Sequence, residues 1–277
     1  MLGYIDVLND EQSKKVVNLV DKLDKVWIRR APVPMDFFTV GACTYLEGVE
    51  NIAKYHKHRR VMNPVLMKHF SWLYDILVEK LSAVFGPTEV VNELAYPGFH
   101  VFGHKPGETS HPACKERFQK PLASLHVDIQ YREHKCYWNT FDEVDLEETL
   151  SFTLPVELPK NGGGLWVWDW MEMDEDTISK FNFQDDLGKD ATIKEFMRDV
   201  DPRENKEFWD NGSLPLRYDP IYDTKPMVVP YSIGKLMYHT GHVLHQIIPG
   251  YKLQDGDRRM TLQGHGIKCD GIWRLYF

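Results

Sequence analysis

Two histidines and an aspartate have the types and the spacing of a metal-binding site. His126 and Asp128 lie one residue apart in the segment 125–131, LHVDIQY, whose alternation is typical of a β-strand. Alternate side chains of a strand point to the same face, so these two are predicted to share one. With the distant His245 they make two histidines and one carboxylate, the facial triad that binds iron(II) and leaves other metal positions open. The pattern therefore predicts an iron site.

The apolar neighbours of the pair support this interpretation. Leu125, Val127 and Ile129 alternate with the two candidate ligands, so one face of the predicted strand packs in a sheet and the other carries polar groups. A buried carboxylate is costly unless it is paired or binds a metal. The alternative is a simple histidine–aspartate pair on a solvated strand, because so short a motif also occurs by chance.

Three histidines near the end of the chain are candidates for the distal ligand. His239, His242 and His245 lie around Gly241, where the chain is predicted to bend. The apolar residues that follow predict a regular strand through His245, whereas the other two lie before the bend or within it. His245 is therefore the preferred ligand, and His242 is the second choice.

Arg259 and Thr261 alternate on a later strand and form a candidate carboxylate receptor. Turn residues within 249–257 predict a wide loop, which would set Ile247 opposite Arg259. The arginine would then lie diagonally from His245, roughly 7 to 8 Å away, a gap that a five-carbon diacid chelating the metal would span. A guanidinium fork and a hydroxyl suit a carboxylate. The alternative is an exposed arginine on a strand.

At this point the chain resembles the iron(II)- and 2-oxoglutarate-dependent oxygenases. The resemblance covers roughly residues 90–277. Its elements are HVD at 126–128, GGGLWV at 162–167, and His245 followed by RMT at 259–261, which is similar to the RxS/T element of that family. The order and spacing of these elements are more specific than any one of them.

The resemblance implies a mainly β fold, a double-stranded β-helix (jelly-roll, cupin-like), and a cofactor set of Fe(II), 2-oxoglutarate and O2. It implies that His126, Asp128 and His245 hold the iron, while Arg259 and Thr261 bind the distal carboxylate of 2-oxoglutarate. The co-substrate would be converted to succinate and CO2. Because the ligating carboxylate is present, hydroxylation is the default outcome over halogenation. Desaturation, cyclisation and epimerisation remain open.

The substrate is predicted to be a small molecule such as an amino acid or a specialised metabolite. The long interval between the predicted ligands Asp128 and His245 suits a lid that encloses such a molecule. Each candidate contact could equally be structural; they are His100, Gln130, Arg132 and Trp166. No catalytic residue is predicted beyond the metal ligands.

Three other functions remain compatible with the sequence. A protein or peptide hydroxylase would keep the same fold and cofactors. A cupin-type metal isomerase or hydrolase would use Arg259 for its substrate instead of a co-substrate. A non-catalytic jelly-roll binding module would carry a degenerate site.

The composition of the chain limits which binding partners and which cellular compartment are expected. The 277 residues carry a formal net charge of −8, which disfavours nucleic acid as a partner. The sequence contains no apolar run long enough for a membrane span and no secretion signal at its start. Its four cysteines are widely spaced, which is typical of reduced thiols. We therefore expect a cytoplasmic protein without membrane partners.

The whole chain, 1–277, is predicted to form one oxygenase domain. Helices within 1–87 support a β-helix core made of 88–170 and 229–277. The intervening segment 171–228 starts acidic, contains helical patches and has no strong strand pattern. We interpret it as an inserted helical or loop lid.

The supporting helices have clear start and stop signals. Asn9 with Gln12 predicts a capping box for a helix that runs through Arg30. Asn63, followed by Pro64, predicts the start of a second helix that ends at Gly86.

Strands are predicted at 90–96 and 99–104. The segments 150–158 and 165–170 are predicted to form a hairpin around the glycine-rich turn at 159–164.

Overall fold

The computed structural model describes residues 1–31, 36–48, 51–109, 112–119, 126–172 and 226–277. The strands within them are β1 (Leu2–Asp6), β2 (Ile28–Arg29), β3 (Phe37–Val40), β4 (Thr88–Val90), β5 (Gly98–Phe102), β6 (Val144–Glu157), β7 (Gly164–Glu172), β8 (Met227–Pro230), β9 (Lys235–His239), β10 (Val243–Ile247), β11 (Arg259–Cys269) and β12 (Ile272–Tyr276). The helices are α1 (Asp10–Lys22), α2 (Ile52–Phe85), α3 (Pro112–Phe118) and α4 (Lys135–Trp138), with 3₁₀ turns at Asp24–Val26 and Gln130–His134 and a π-helical turn at Thr44–Gly48.

The strands form two sheets. The larger has the order β1-β9-β6-β11-β5-β3-β2, and β12 joins it beside β11 and β4. The smaller has the order β10-β7-β8. Neighbouring strands are mostly antiparallel, whereas β4 and β12 are parallel. Together the sheets form a double-stranded β-helix, so the predicted fold class is confirmed.

The two faces of the large sheet differ in polarity because side chains alternate along each strand. On β6, the even-numbered residues within 150–156 belong to the apolar core, which α1 and α2 cover. The odd-numbered residues within 149–153 are buried hydroxyl side chains on the other face. On β11, Met260 and Leu262 face the helices in the same way. The inner face of this sheet is therefore polar and suited to hold a ligand.

The first helix begins as predicted but is shorter. Asn9 and Gln12 form the capping box that the sequence indicates. The predicted extension through Arg30 is wrong, because α1 ends at Lys22. Residues 28–29 instead form β2 and pair with β3.

The second helix ends as predicted and begins earlier. Its N-cap is Asn51, whose side chain accepts from the backbone N–H groups of Ala53 and Lys54, and Pro64 lies inside the helix. The predicted cap at Asn63 is wrong. The Asn63 side chain donates to the carbonyl of Leu94 and accepts from the backbone N–H of Tyr96.

These contacts also explain why the strand predicted at 90–96 is absent. Asn63 takes the backbone N–H of Tyr96, and the Tyr55 hydroxyl accepts from that of Ala95. Backbone groups that bond to side chains of α2 are not available to a sheet ladder. The neighbouring prediction at 99–104 is confirmed in substance by β5.

The predicted hairpin of 150–158 with 165–170 is wrong. β6 pairs with β11 and β9, while β7 pairs with β10 and β8 in the other sheet. Three glycines at 162–164 have positive φ, a conformation that allows a connection unlike a hairpin turn. The glycine-rich segment therefore carries the chain from one sheet to the other.

The ends of the predicted insertion 171–228 belong to strands, since β7 extends to Glu172 and β8 begins at Met227. The predicted lid itself, at 173–225, lies outside the described residues. Among the helices that the structure describes, none combines the length and the apolar character that crossing a membrane requires. The single-domain organisation stays a prediction.

Candidate metal centre

The two predicted histidine ligands are joined through their backbones. The backbone N–H of His126 donates to the carbonyl of His245 at 3.0 Å, and the reverse bond is 2.9 Å. The two ring centroids are 4.4 Å apart. The predicted strand through 125–131 is wrong, because His126 forms an isolated bridge and a 3₁₀ turn begins at Gln130. One pair of backbone bonds thus brings together residues that are far apart in sequence.

A close backbone contact at Gly241 positions Asp128. The backbone N–H of Asp128 donates to the carbonyl of Gly241 at 2.6 Å, and the N–H of Gly241 donates to the Thr149 hydroxyl at 3.0 Å. A Cβ at position 241 would lie 2.5 Å from the Asp128 carbonyl oxygen and 2.8 Å from the Thr149 hydroxyl oxygen. Only glycine fits there without a shift, and it lies in a turn, as predicted.

The three side chains converge on a common point. One potential ligand atom from each of His126, Asp128 and His245 lies within 4.8 Å of the others. Nε2 of His126 is 3.7 Å from Oδ1 of Asp128, and Nε2 of His245 is 3.5 Å from Oδ2. Two imidazole nitrogens and a carboxylate on one side of a centre fit a divalent metal ion such as iron(II).

Hydrogen bonding and burial put the side chains in the protonation states that metal ligands need. Nδ1 of His245 is 2.8 Å from the carbonyl of Val243, so Nδ1–H donates and Nε2 keeps its lone pair toward the cluster. Burial lowers the pKa of His245 well below its usual value, although Asp128 opposes this. Burial raises the pKa of Asp128, but the surrounding histidines, His245 first, outweigh it and lower the pKa overall. His245 is thus a neutral imidazole beside the carboxylate of Asp128.

The other nearby histidines have different partners. His242, the second choice for the distal ligand, places Nε2 3.1 Å from the Tyr131 hydroxyl. The His239 ring lies 4.4 Å from the His245 ring, and its Nδ1 is 2.7 Å from the Thr240 carbonyl.

His265 is an addition that the sequence analysis missed. Its Nδ1 is 3.1 Å from the Ser151 hydroxyl and 4.0 Å from Oδ2 of Asp128. His265 is an odd-numbered residue of β11, like Arg259 and Thr261, and this alternation could have indicated that it faces inward.

Arg259 and Thr261 lie on the polar inner face as a buried receptor with several unused polar atoms. Nε and Nη2 of Arg259 and the Thr261 hydroxyl have no hydrogen-bond partner among the described residues. The guanidinium lies 5.1 Å from the ring of Tyr231 and 5.4 Å from that of Phe102. Burial lowers the pKa of Arg259. A buried cation with unused donors at Nε and Nη2 calls for an anionic ligand.

The predicted register that set Ile247 opposite Arg259 is wrong. β10 pairs with β7, whereas β11 pairs with β5 and β6, so Arg259 lies opposite Phe102. Ile247 and Arg259 instead line one small cavity of about 40 Å³, together with Phe118 and Leu253.

Two tyrosines complete the polar surroundings of Arg259. The Tyr45 hydroxyl is 2.8 Å from Nε2 of His100. His100 belongs to β5 and lies opposite Thr261 of β11. Burial raises the pKa of both Tyr45 and Tyr231, and the charge of Asp128 also raises them. Both tyrosines in turn raise the pKa of Arg259 against the effect of burial. Neither tyrosine belongs to a spacing pattern in the sequence.

The four predicted substrate contacts lie in different surroundings. His100 is buried beside Thr261, and Gln130 donates from Nε2 to Oδ1 of Asp128 at 3.0 Å. Arg132 lines a cleft of about 310 Å³ with residues that include Lys135 and Trp138. Trp166 is buried in an apolar cluster with Trp168. Their contact with a substrate stays a prediction.

Comparison with solved structures found several similar proteins. An N-substituted L-amino acid dioxygenase from Burkholderia ambifaria has 12% sequence identity and a TM-score of 0.50, over 99% of this chain and 85% of that chain. Its complex with alpha-KG gives 12% identity and a TM-score of 0.49 over the same shares. HygX from Streptomyces hygroscopicus, with nickel and 2-oxoglutarate bound, gives 12% and 0.41, over 95% and 82% of the two chains. No family model matches the sequence, and no curated protein matches it. The similarity to the first structure shows a common fold.

Proposed function

We propose that the chain is a non-haem iron(II)- and 2-oxoglutarate-dependent oxygenase that hydroxylates a C–H bond of a small molecule, such as an amino acid or a specialised metabolite. His126, Asp128 and His245 would bind iron(II), and Arg259 and Thr261 would bind the distal carboxylate of 2-oxoglutarate. The reaction consumes O2 and converts 2-oxoglutarate to succinate and CO2. The first structural neighbour is named an amino acid dioxygenase, which is consistent with a small substrate.

The observation that carries the proposal is the unused, buried receptor beside a three-ligand cluster. Arg259, Thr261 and His265 are alternate residues on the inner face of β11, and Nδ1 of His265 lies 4.0 Å from Oδ2 of Asp128, so the same strand carries the receptor and reaches the cluster. A dicarboxylic keto acid has one end that chelates a metal and another that pairs with a guanidinium fork. This supports a co-substrate that bridges the two sites.

Each residue has a definite task in this proposal. Iron(II), when bound, supplies open positions at which O2 and the keto acid meet. Asp128 neutralises part of the metal charge, and the neutral ring of His245 is held in one orientation by the Val243 carbonyl. Arg259 and Thr261 orient the co-substrate. The aromatic rings of Tyr231 and Phe102 keep water from the guanidinium, which strengthens its attraction for a carboxylate.

An anaerobic titration tests this function. Iron(II) followed by 2-oxoglutarate should give a weak visible charge-transfer band in the wild-type protein. Arg259→Ala should bind iron(II) normally and weaken 2-oxoglutarate by about 10- to 200-fold, because a charged hydrogen bond contributes roughly 1.5–3 kcal/mol.

The adjacent arginine provides a matched control. The Arg258 guanidinium pairs with Asp21 and Glu157 instead of facing the inner side. Arg258→Ala should lower stability and leave the affinity for 2-oxoglutarate unchanged. Absence of the band in iron-loaded wild-type protein, or equal effects of the two substitutions on 2-oxoglutarate, would contradict the proposal.

A further inference from the structure

Gln130 is held in a fixed position beside the metal cluster. It is the first residue of the 3₁₀ turn Gln130–His134. Two hydrogen bonds of Tyr131, one at its carbonyl and one at its hydroxyl, fix this turn. The Trp138 indole N–H donates to the Tyr131 carbonyl at 2.8 Å, and the Tyr131 hydroxyl is 3.1 Å from Nε2 of His242. Gln130 is only 6% exposed. Its amide therefore has little freedom to turn away.

The chemistry of its neighbour determines which way the Gln130 amide faces. A carboxylate only accepts hydrogen bonds, so the group that lies 3.0 Å from Oδ1 of Asp128 must be the amide nitrogen. The carbonyl oxygen Oε1 is then the other end of the same planar group. It is buried and has no hydrogen-bond partner among the described residues. A buried acceptor left without a donor is unfavourable and requires an explanation.

A ligand that supplies the missing donor would explain this arrangement. The Gln130 carbonyl lies one amide group away from the carboxylate of Asp128, so a donor that reaches it also lies beside the metal cluster. Asn or Asp could not do the same, because the first is shorter and the second lacks an N–H group.

We propose that Gln130 is both a positioning and a specificity-determining residue. Its N–H group holds Asp128 in the orientation that binds the metal, and its carbonyl accepts a hydrogen bond from an N–H or O–H group of the substrate. This inference rests on the proposed function, because it takes Asp128 as an iron ligand. The substrate class that follows is an amine, amide or alcohol with its donor next to the carbon that is oxidised, instead of a plain hydrocarbon.

The positioning role is tested on metal-free protein without any substrate. Gln130→Met keeps the length of the side chain and removes both hydrogen bonds, while Gln130→Glu keeps an acceptor and removes the donor. Gln130→Met should raise the Kd for iron(II) by about 10- to 100-fold, the usual effect of losing a partner of a metal ligand. Gln12→Met is the control, since it removes the α1 capping box far from the metal and should leave that Kd unchanged. An iron(II) affinity of Gln130→Met within twofold of wild type would overturn this role.

The specificity role is tested by succinate release with amino acids and alcohols, each paired with its N,N,N-trimethylated or O-methylated counterpart, which has no N–H or O–H donor at that position. Wild type and Gln130→Glu should prefer the members that keep a donor, and Gln130→Met should lose this preference. Methylated members that stimulate wild type equally would overturn this role. A protein that binds no iron(II) or 2-oxoglutarate at all contradicts the proposed function, which the titration with Arg259→Ala tests separately.

Discussion

Replacing Gly241 with alanine tests the reasoning about the metal centre most directly. The new Cβ would lie 2.5 Å from the carbonyl oxygen of Asp128 and 2.8 Å from the hydroxyl of Thr149. The first of these atoms belongs to the backbone, so it cannot move aside by a rotamer change. The added methyl group therefore forces Asp128 and Gly241 apart.

The magnitude follows from the contacts that are lost. Overpacking of this kind costs about 1–3 kcal/mol. Weakening the 2.6 Å bond between the Asp128 N–H and the Gly241 carbonyl adds about 1 kcal/mol. The free energy of unfolding should thus fall by about 2–4 kcal/mol. Because a metal site tolerates displacements of only about 0.5 Å, iron(II) affinity should also fall by roughly tenfold or more.

Urea unfolding and iron(II) titration measure these two effects. Gly48→Ala is a suitable control, because its Cβ would meet only side-chain methyl groups, those of Thr44 at 3.4 Å and Ile52 at 3.7 Å, which are ordinary contacts. It should change the unfolding free energy by no more than about 0.5 kcal/mol. If Gly241→Ala matched the control in both measurements, Gly241 would not be what holds Asp128 in place.

The remaining predictions concern histidines. His245→Ala should abolish iron(II) binding, whereas His242→Ala should retain it, because the His242 ring bonds to Tyr131; the reverse result in a titration would identify His242 as the ligand. Burial, helped by His56 and His265, lowers the pKa of His134 to about 3. Because the folded protein holds His134 neutral, protonation favours the unfolded state. The contribution of neutral His134 to the free energy of unfolding is therefore complete above about pH 6.5 and is lost as the pH falls toward 3, by up to roughly 1.4 kcal/mol per pH unit. His134→Gln should therefore unfold in urea with a shallower loss of stability between pH 7 and 5, and an unchanged slope would show that His134 is protonated in the fold.

Features that depend on neighbours along the chain were predicted correctly. The capping box of Asn9 and Gln12, the end of α2 at Gly86 and the turn at Gly241 are each made by a few consecutive residues. Their hydrogen bonds and backbone angles are local, so residue type alone indicates them.

Features that depend on distant partners were predicted less well. The sequence suggested that β6 pairs with β7 and that Ile247 lies opposite Arg259, but both pairs are divided between the two sheets. Strand alternation reports which face is apolar and says nothing about which strand lies alongside. That depends on contacts between distant segments, such as Arg259 of β11 opposite Phe102 of β5.

The sequence by itself determined the chemistry that the chain can carry: two histidines and a carboxylate for a metal, and an alternating arginine and threonine for an anion. Only the tertiary structure decided where these groups meet. His126 is held by backbone bonds to His245, Asp128 by Gly241, and Tyr231 lies against Arg259. Such contacts join residues far apart in the chain, because burial and backbone hydrogen bonding are satisfied over the whole fold and not within any one segment.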